Sequence, residues 1–210
     1  PLAAAIGSGL PINEPIGNLI VDVGGGTSET ALISMGGVVA LEAVRVGSFD
    51  LDVAIQNFIK KEFGVAIGER TAEEIKLTIG SASAYEGELR AEVRGRHIAS
   101  GLPEVVVVSP SEIREAIEEP VSTMVDSVTS CLSKAPPEMA QDIIVQGISL
   151  VGGGSLLKGF DKRLSEETDV PVHIVPNALE AVVLGAGRCI ESFESVRAMF
   201  MEDPNARQRR

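Results

Sequence analysis

A chain of 210 residues has room for one large domain or two small ones, and a length of this order buries roughly 70% of its unfolded surface, so core packing alone can hold it. Hydrophobic residues at 44% and charged residues at 23% exclude a disordered polymer. Aromatic content of 3%, no tryptophan and a net charge of -12 exclude a platform for stacking bases or gripping phosphate backbones.

Cys131 and Cys189 stand far apart and match no metal spacing, which fits buried thiols in a reduced cytosol. No stretch reads as a secretory leader, and no apolar run approaches the ~18 residues of a membrane span. The expectation is a cytosolic protein.

The chain opens in an alanine-rich stretch, 1–6, that reads as helix. Residues 19–23 form an apolar run carrying Asp22 and opening into Gly24, Gly25 and Gly26, as a buried strand feeding a tight turn does. Residues 31–34 and 38–44 continue the strand chemistry, with Gly36-Gly37 as a two-residue turn, so a three-strand antiparallel meander is expected. Residues 51–63 carry apolar positions at Leu51, Ile55, Phe58, Ile59 and Phe63, with Gly64 as the closing glycine. A second helix starts at Thr71, with Glu73 and Glu74 in its first turn and Ile75, Ile79 and Ala82 as its stripe. Residues 89–93 and 104–108 read as a second, smaller sheet. Ser111 then precedes a long stripe from Ile113 to Val128, which Pro120 kinks or divides, and Pro136-Pro137 breaks the chain. Residues 148–151 are a strand ending in a second glycine triplet, Gly152 to Gly154. Helix at 156–168, strand at 170–175 and helix at 179–192, with Gly185 and Gly187 for close packing, complete the order. Mixed α/β architecture follows, with 51–109 inserted between two parts of a larger domain.

Three segments can carry chemistry. In VDVGGGTSE, 21–29, glycines after a strand let backbone amides form an anion nest, Thr27 and Ser28 add hydroxyls, and Asp22 can hold Mg2+ through water. A bare triplet is as readily an ordinary hairpin. In LVGGGSLLKGFDKRL, 150–164, the same strand-to-glycine form recurs, and two such loops favour one ligand between them. In TAEEIK, 71–76, Glu73 and Lys76 share a helical face, where the carboxylate can take ribose hydroxyls and the lysine stem can cover adenine; alone, the pair reads as a surface salt bridge.

Together these segments resemble the superfamily of actin, sugar kinases and heat-shock-chaperone ATPases. PLAAAIGSGLP (1–11), IGERTAEEIKLTIG (67–80), PPEMAQDIIVQGISLVGGGSLLKG (136–159) and ETDVPV (167–172) narrow the resemblance to the MreB and Mbl bacterial actins, specifically their C-terminal half, domain II. The resemblance implies an α/β, ribonuclease H-like, actin-type fold with 1–50 and 110–192 as subdomain IIA, 51–109 as subdomain IIB and 193–210 as a flexible tail. It implies ATP and Mg2+ as cofactors. Gly24, Gly25, Gly26 and Thr27 would take the phosphates, Glu73, Glu74, Ile75 and Lys76 the ribose and adenine, and Gly153, Gly154, Ser155 and Leu156 the adenine side. Thr27 would also orient the attacking water. The implied function is ATP-linked filament formation in cell-shape and cell-wall morphogenesis. The implied partners are further subunits of the same kind and morphogenesis proteins, in a cytoplasmic cytoskeleton whose location extends to the inner face of the membrane.

Two departures matter. Family members begin with a half that carries a first phosphate loop, DxGTxN, and a water-polarising glutamate just before the PxAAAIG helix. Neither lies in this stretch, which therefore holds half of a clamp and is not expected to hydrolyse ATP efficiently alone. Where the family has a GGD-like turn, this chain reads Gly47-Ser48-Phe49, with Asp50 one place late. A nucleotide-free interaction scaffold of the same fold, and an ATPase of the chaperone or sugar-kinase kind, are the competing readings.

Overall fold

The computed structural model describes residues 1–85 and 89–191. The end of the last expected helix at Ser192 and the tail at 193–210 lie outside the described residues. Helix α1 (Leu2–Gly7) leads to β1 (Asn18–Val23), whose residues are buried on both faces except Asp22, the pattern of a central strand. Strands β2 (Ser28–Ser34) and β3 (Gly37–Val44) continue antiparallel from it. Their turn is centred on Met35 and Gly36, both left-handed at φ 50° and 72°, one residue earlier than Gly36-Gly37. Such a primed turn matches the twist of the strands it joins.

Helix α2 (Ser48–Phe63) buries Leu51, Ile55 and Ile59 and ends at left-handed Gly64, φ 66°. A two-residue strand β4 (Val65–Ala66), too short to leave a periodic signal, precedes α3 (Glu69–Ile79). Strands β5 (Ala91–His97) and β6 (Pro103–Val108) pair antiparallel and, with β4, make a three-stranded sheet. Expected strand 89–93 therefore begins and ends too early; Leu89 is exposed and β5 runs on through Arg94, Gly95 and Arg96, whose polarity hid it.

The long helical stretch divides before Pro120. Helix α4 (Pro110–Ala116) is capped by Ser109, not Ser111, with Pro110 at its first position and Glu112 reaching back to the Ser109 amide at 2.7 Å. Helix α5 (Glu118–Ser133) follows, with Pro120 in its first turn, where no intrahelical donor is needed. Helix α6 (Pro137–Gln146) had not been expected, because Ile143 is its one buried residue and the stripe is too thin to read. Asp142 holds it to the sheet by accepting the Gly17 amide at 2.8 Å. After β7 (Ile148–Val151) the expected helix 156–168 is two pieces: a 3-10 turn at Gly153–Leu156 and α7 (Phe160–Thr168), separated by left-handed Gly159. Strand β8 (Val172–Ile174) and α8 (Ala181–Glu191) close the described chain.

The larger sheet has the order β3-β2-β1-β7-β8, with β1, β7 and β8 mutually parallel. One face carries α1 and α8 over Ile20, Ala31, Ile33 and Val151. Gly7 and Gly185 let these two helices touch backbone to backbone, against Ala181 and Ala3; Gly187, expected to help, faces open space. The other face carries α5 and α7 over Leu19, Val21, Leu32 and Leu150, with Phe160 fully buried, a side chain worth about 3 kcal/mol of transfer. Cys131 and Cys189 are free and buried. Among the described residues no helix is long and apolar enough to cross a membrane.

Candidate functional site

Asp22 on β1 pairs in register with Val151 on β7, so the two parallel strands deliver their glycine loops at the same level of the sheet. The carboxyl ends of parallel strands are where open α/β sheets take ligands. The two loops also touch. A side chain at Gly152 would collide with the Val23 carbonyl and stand 2.6 Å from Asp22 Oδ1, and one at Gly154 would collide with the Val23 side chain.

In the first loop the Gly24 amide donates to the Thr27 carbonyl at 2.9 Å and closes the turn, so it is spent internally. The Gly24 and Gly25 carbonyls accept the Ser48 and Phe49 amides at 3.0 and 2.8 Å, which ties the loop to the start of α2. The exposed Phe49 ring lies on Gly25, where an added Cβ would meet it at 2.6 Å. Gly26 and Thr27 are exposed. Around Gly26 an added Cβ meets nothing within 4 Å, and its φ is not left-handed, so nothing inside the chain requires a glycine there.

Asp22 is half-buried and shares its sheet face with Glu29 across the β1–β2 pair. Burial pushes its carboxyl above the ordinary value, the amino group of Pro1 acts against this, and Glu29 adds to it. No group of three metal-ligating side chains occurs among the described residues.

Beside the loops lies a cavity of about 380 Å³ between α2, α3, the 3-10 turn and the approach to α8. Of the four α3 residues expected to face a nucleoside, Glu73 and Lys76 line it. Glu74 is on the outside, bonded to Arg70 at 3.2 Å, and Ile75 is in the core. The surface salt bridge that Glu73 and Lys76 could have formed is not made. Lys76 is buried and donates instead to Asp52 at 2.9 Å and to the Ser48 carbonyl at 3.0 Å. Burial pushes the Asp52 carboxyl up, against the Lys76 hydrogen bond and charge.

Of the 3-10 turn, Gly153, Gly154 and Leu156 line the cavity. Ser155 does not: it is fully buried and its hydroxyl donates to the Gly152 carbonyl at 2.6 Å, so the hydroxyl donor expected of it is used to fold the loop. Ser48, Leu51, Leu77, Gly80, Leu157, Lys158 and Leu179 complete the lining and were not foreseen. Leu77 and Gly80 could have been found from the helical face that Glu73 and Lys76 define, being four and seven residues on. Leu179 comes from a distant segment and left no local signal.

The model of the MreB/Mbl protein family matches residues 1–198. The chain belongs to the MreB/Mbl family. Its sequence is 44% identical over 194 residues to the cell shape-determining protein MreB of Escherichia coli K12, covering 92% of this chain and 56% of that protein. It is 39% identical over 196 residues to the cell shape-determining protein Mbl of Bacillus subtilis 168, covering 93% and 59%. Among solved structures, MreB5 of Spiroplasma citri bound to AMPPNP superposes with a TM-score of 0.87 at 36% identity, over 92% of this chain and 58% of that one. A MamK double helical filament shares the fold, with a TM-score of 0.74 at 21% identity over 91% and 58%. This member of the MreB/Mbl family thus spans little more than half the length of these relatives, and it has their actin-like α/β fold, a five-stranded sheet with a separate three-stranded one.

Proposed function

We propose that this chain supplies the second half of an adenine-nucleotide clamp in an MreB-type filament subunit, and that it serves cell-shape determination by nucleotide-linked self-association. The observation that carries the nucleotide reading is Gly26. It is exposed beside Thr27 at the strand ends, and it is glycine with no internal reason, as a loop that must admit a phosphate close to its backbone would be. Gly25, Gly26 and Thr27 hold the phosphates, Glu73 takes the ribose hydroxyls, and the Lys76 stem with Gly153, Gly154 and Leu156 walls the base. A magnesium ion supplies charge neutralisation at the phosphates, and Asp22, half-buried at the junction of both loops, is the carboxylate that fits it through water. The solved MreB5 of Spiroplasma citri, bound to AMPPNP in one structure and to ADP in another, supports this assignment.

Residues 1–50 and 110–192 act in this reading as subdomain IIA and 51–109 as subdomain IIB. Partners are further subunits of the same type and cell-wall morphogenesis proteins, in a cytoplasmic cytoskeleton. Two observations favour a nucleotide-free scaffold instead: the Phe49 ring covers Gly25, and the Gly24 amide is already bonded. Calorimetric titration with ATP and Mg2+, on the chain and on Gly26→Val, separates the two. Saturable heat that the variant loses supports the clamp; no heat at millimolar ATP leaves the scaffold.

A further inference from the structure

Lys76 and Asp52 stand apart from every other ion pair among the described residues. Both are nine-tenths buried or more, whereas each other pair has at least one partner well exposed to solvent. A buried pair of this kind is a poor way to gain stability, because stripping water from two ions offsets most of their attraction. Its position suggests another use. The Lys76 ammonium, 2.9 Å from Asp52, also donates to the Ser48 carbonyl at 3.0 Å. On the other side of the same residue, the Ser48 amide donates to the Gly24 carbonyl at 3.0 Å, and the next amide, of Phe49, to Gly25 at 2.8 Å. One continuous line of hydrogen bonds therefore runs from the nucleoside-side helix α3, through Ser48 of α2, to Gly24 of the first loop, with Phe49 tying Gly25 beside it. Gly47 leaves the space for it: a side chain there would stand 2.6 Å from the Gly25 carbonyl.

We propose that Asp52 is a positioning residue: by holding the Lys76 ammonium on the Ser48 carbonyl, it locks the phosphate-side loop to the nucleoside-side helix, so that one rigid unit reads both ends of the ligand. Asp52 touches neither end. Without its carboxylate the lysine loses its counter-charge and turns to solvent, the Ser48 carbonyl is left with only its helical donor within α2, and the first loop is released from α3. The lock rests on the nucleotide reading for its purpose, and on the unliganded chain for its mechanism.

Amide hydrogen exchange on the 210-residue chain tests it without any ligand. Asp52→Asn should speed exchange at Ser48 and Phe49 by about tenfold or more while Ile20 and Val21, in the sheet interior, stay as protected as before. Lys76→Met, which keeps the apolar stem, should do the same, and the Asp52→Asn/Lys76→Met double variant, with no buried charge, serves if either single variant fails to fold. Unchanged protection at Ser48 and Phe49 in the folded variants overturns the proposal, as does an equal loss at Ile20 and Val21. In parallel titrations, Asp52→Asn should weaken ATP about tenfold. A wild-type chain that binds no ATP defeats the nucleotide reading, while the exchange data still decide on the lock.

Discussion

The two glycine loops share a triplet after an apolar strand, and they use it for different ends. At 152–154 the glycines serve the fold: Gly152 is left-handed at φ 84°, and both it and Gly154 are pressed on Val23 with no space for a Cβ. At 24–26 none is left-handed, and the crowding eases along the loop from Gly25, under the Phe49 ring, to Gly26, which meets nothing. Identical residues thus mark a packing constraint in one place and, at Gly26, an open backbone in the other. The contact each missing side chain would make tells them apart.

That contrast can be broken most severely at Gly152. Gly152→Ala adds strain at a left-handed φ to a collision with the Val23 backbone, and should lower unfolding free energy by about 3 kcal/mol or more in urea titrations. A loss under 1 kcal/mol would mean that the second loop is as tolerant as the first. Gly25→Ala should cost about 1–2 kcal/mol, because the group it meets is the movable end of an exposed ring. Phe49→Ala in the same background should recover most of that loss, which a double-mutant cycle reads directly.

Ser109→Ala, remote from both loops, gives a scale for an ordinary stability effect. It should cost about 1 kcal/mol through the lost α4 cap, with no change in nucleotide titration. The Ser109 hydroxyl and amide hold the Glu112 carboxyl below its ordinary value. A depressed carboxylate contributes stability that is present above its unfolded pKa and fades as pH falls through the folded one. The difference between wild type and Ser109→Ala should therefore shrink on acidification, checked by urea titrations repeated at falling pH.

The smallest stability effect belongs to Gly26. Gly26→Ala should move the unfolding free energy by less than about 0.5 kcal/mol in either direction. ATP affinity in the same variant should nevertheless fall about tenfold, since in the proposed clamp the added methyl stands where the phosphate approaches. Equal binding in both forms would leave that glycine with no role in taking a phosphate.

Much of the fold was legible locally. Strands β1 and β7 showed as short apolar runs broken by glycine, and α2 showed as a stripe with a closing glycine, because each is set by nearest neighbours along the chain. Helix α6 was hidden because it buries one residue, and β5 because its outward arginines interrupt the alternation. The division at Pro120 was foreseen, but its position followed from a proline tolerated in the first turn and from the Ser109 cap with Pro110 behind it. At the site, Glu73, Lys76, Gly153 and Leu156 were brought to one cavity, while Glu74 and Ile75 were not. A helix of 3.6 residues per turn cannot put four consecutive side chains on one face.

By itself the sequence determined the family, the order of the main strands and helices without β4 and α6, and the places where backbone is bare of side chains, since these are written in short patterns and composition. Which bare backbone is packed and which is open, and where charges end up, only the tertiary structure decided. Lys76 looked like half of a surface pair with Glu73 three residues before it. Once packing buried its ammonium, it needed a carboxylate within reach of that interior, and the fold supplies one from Asp52, on a different helix.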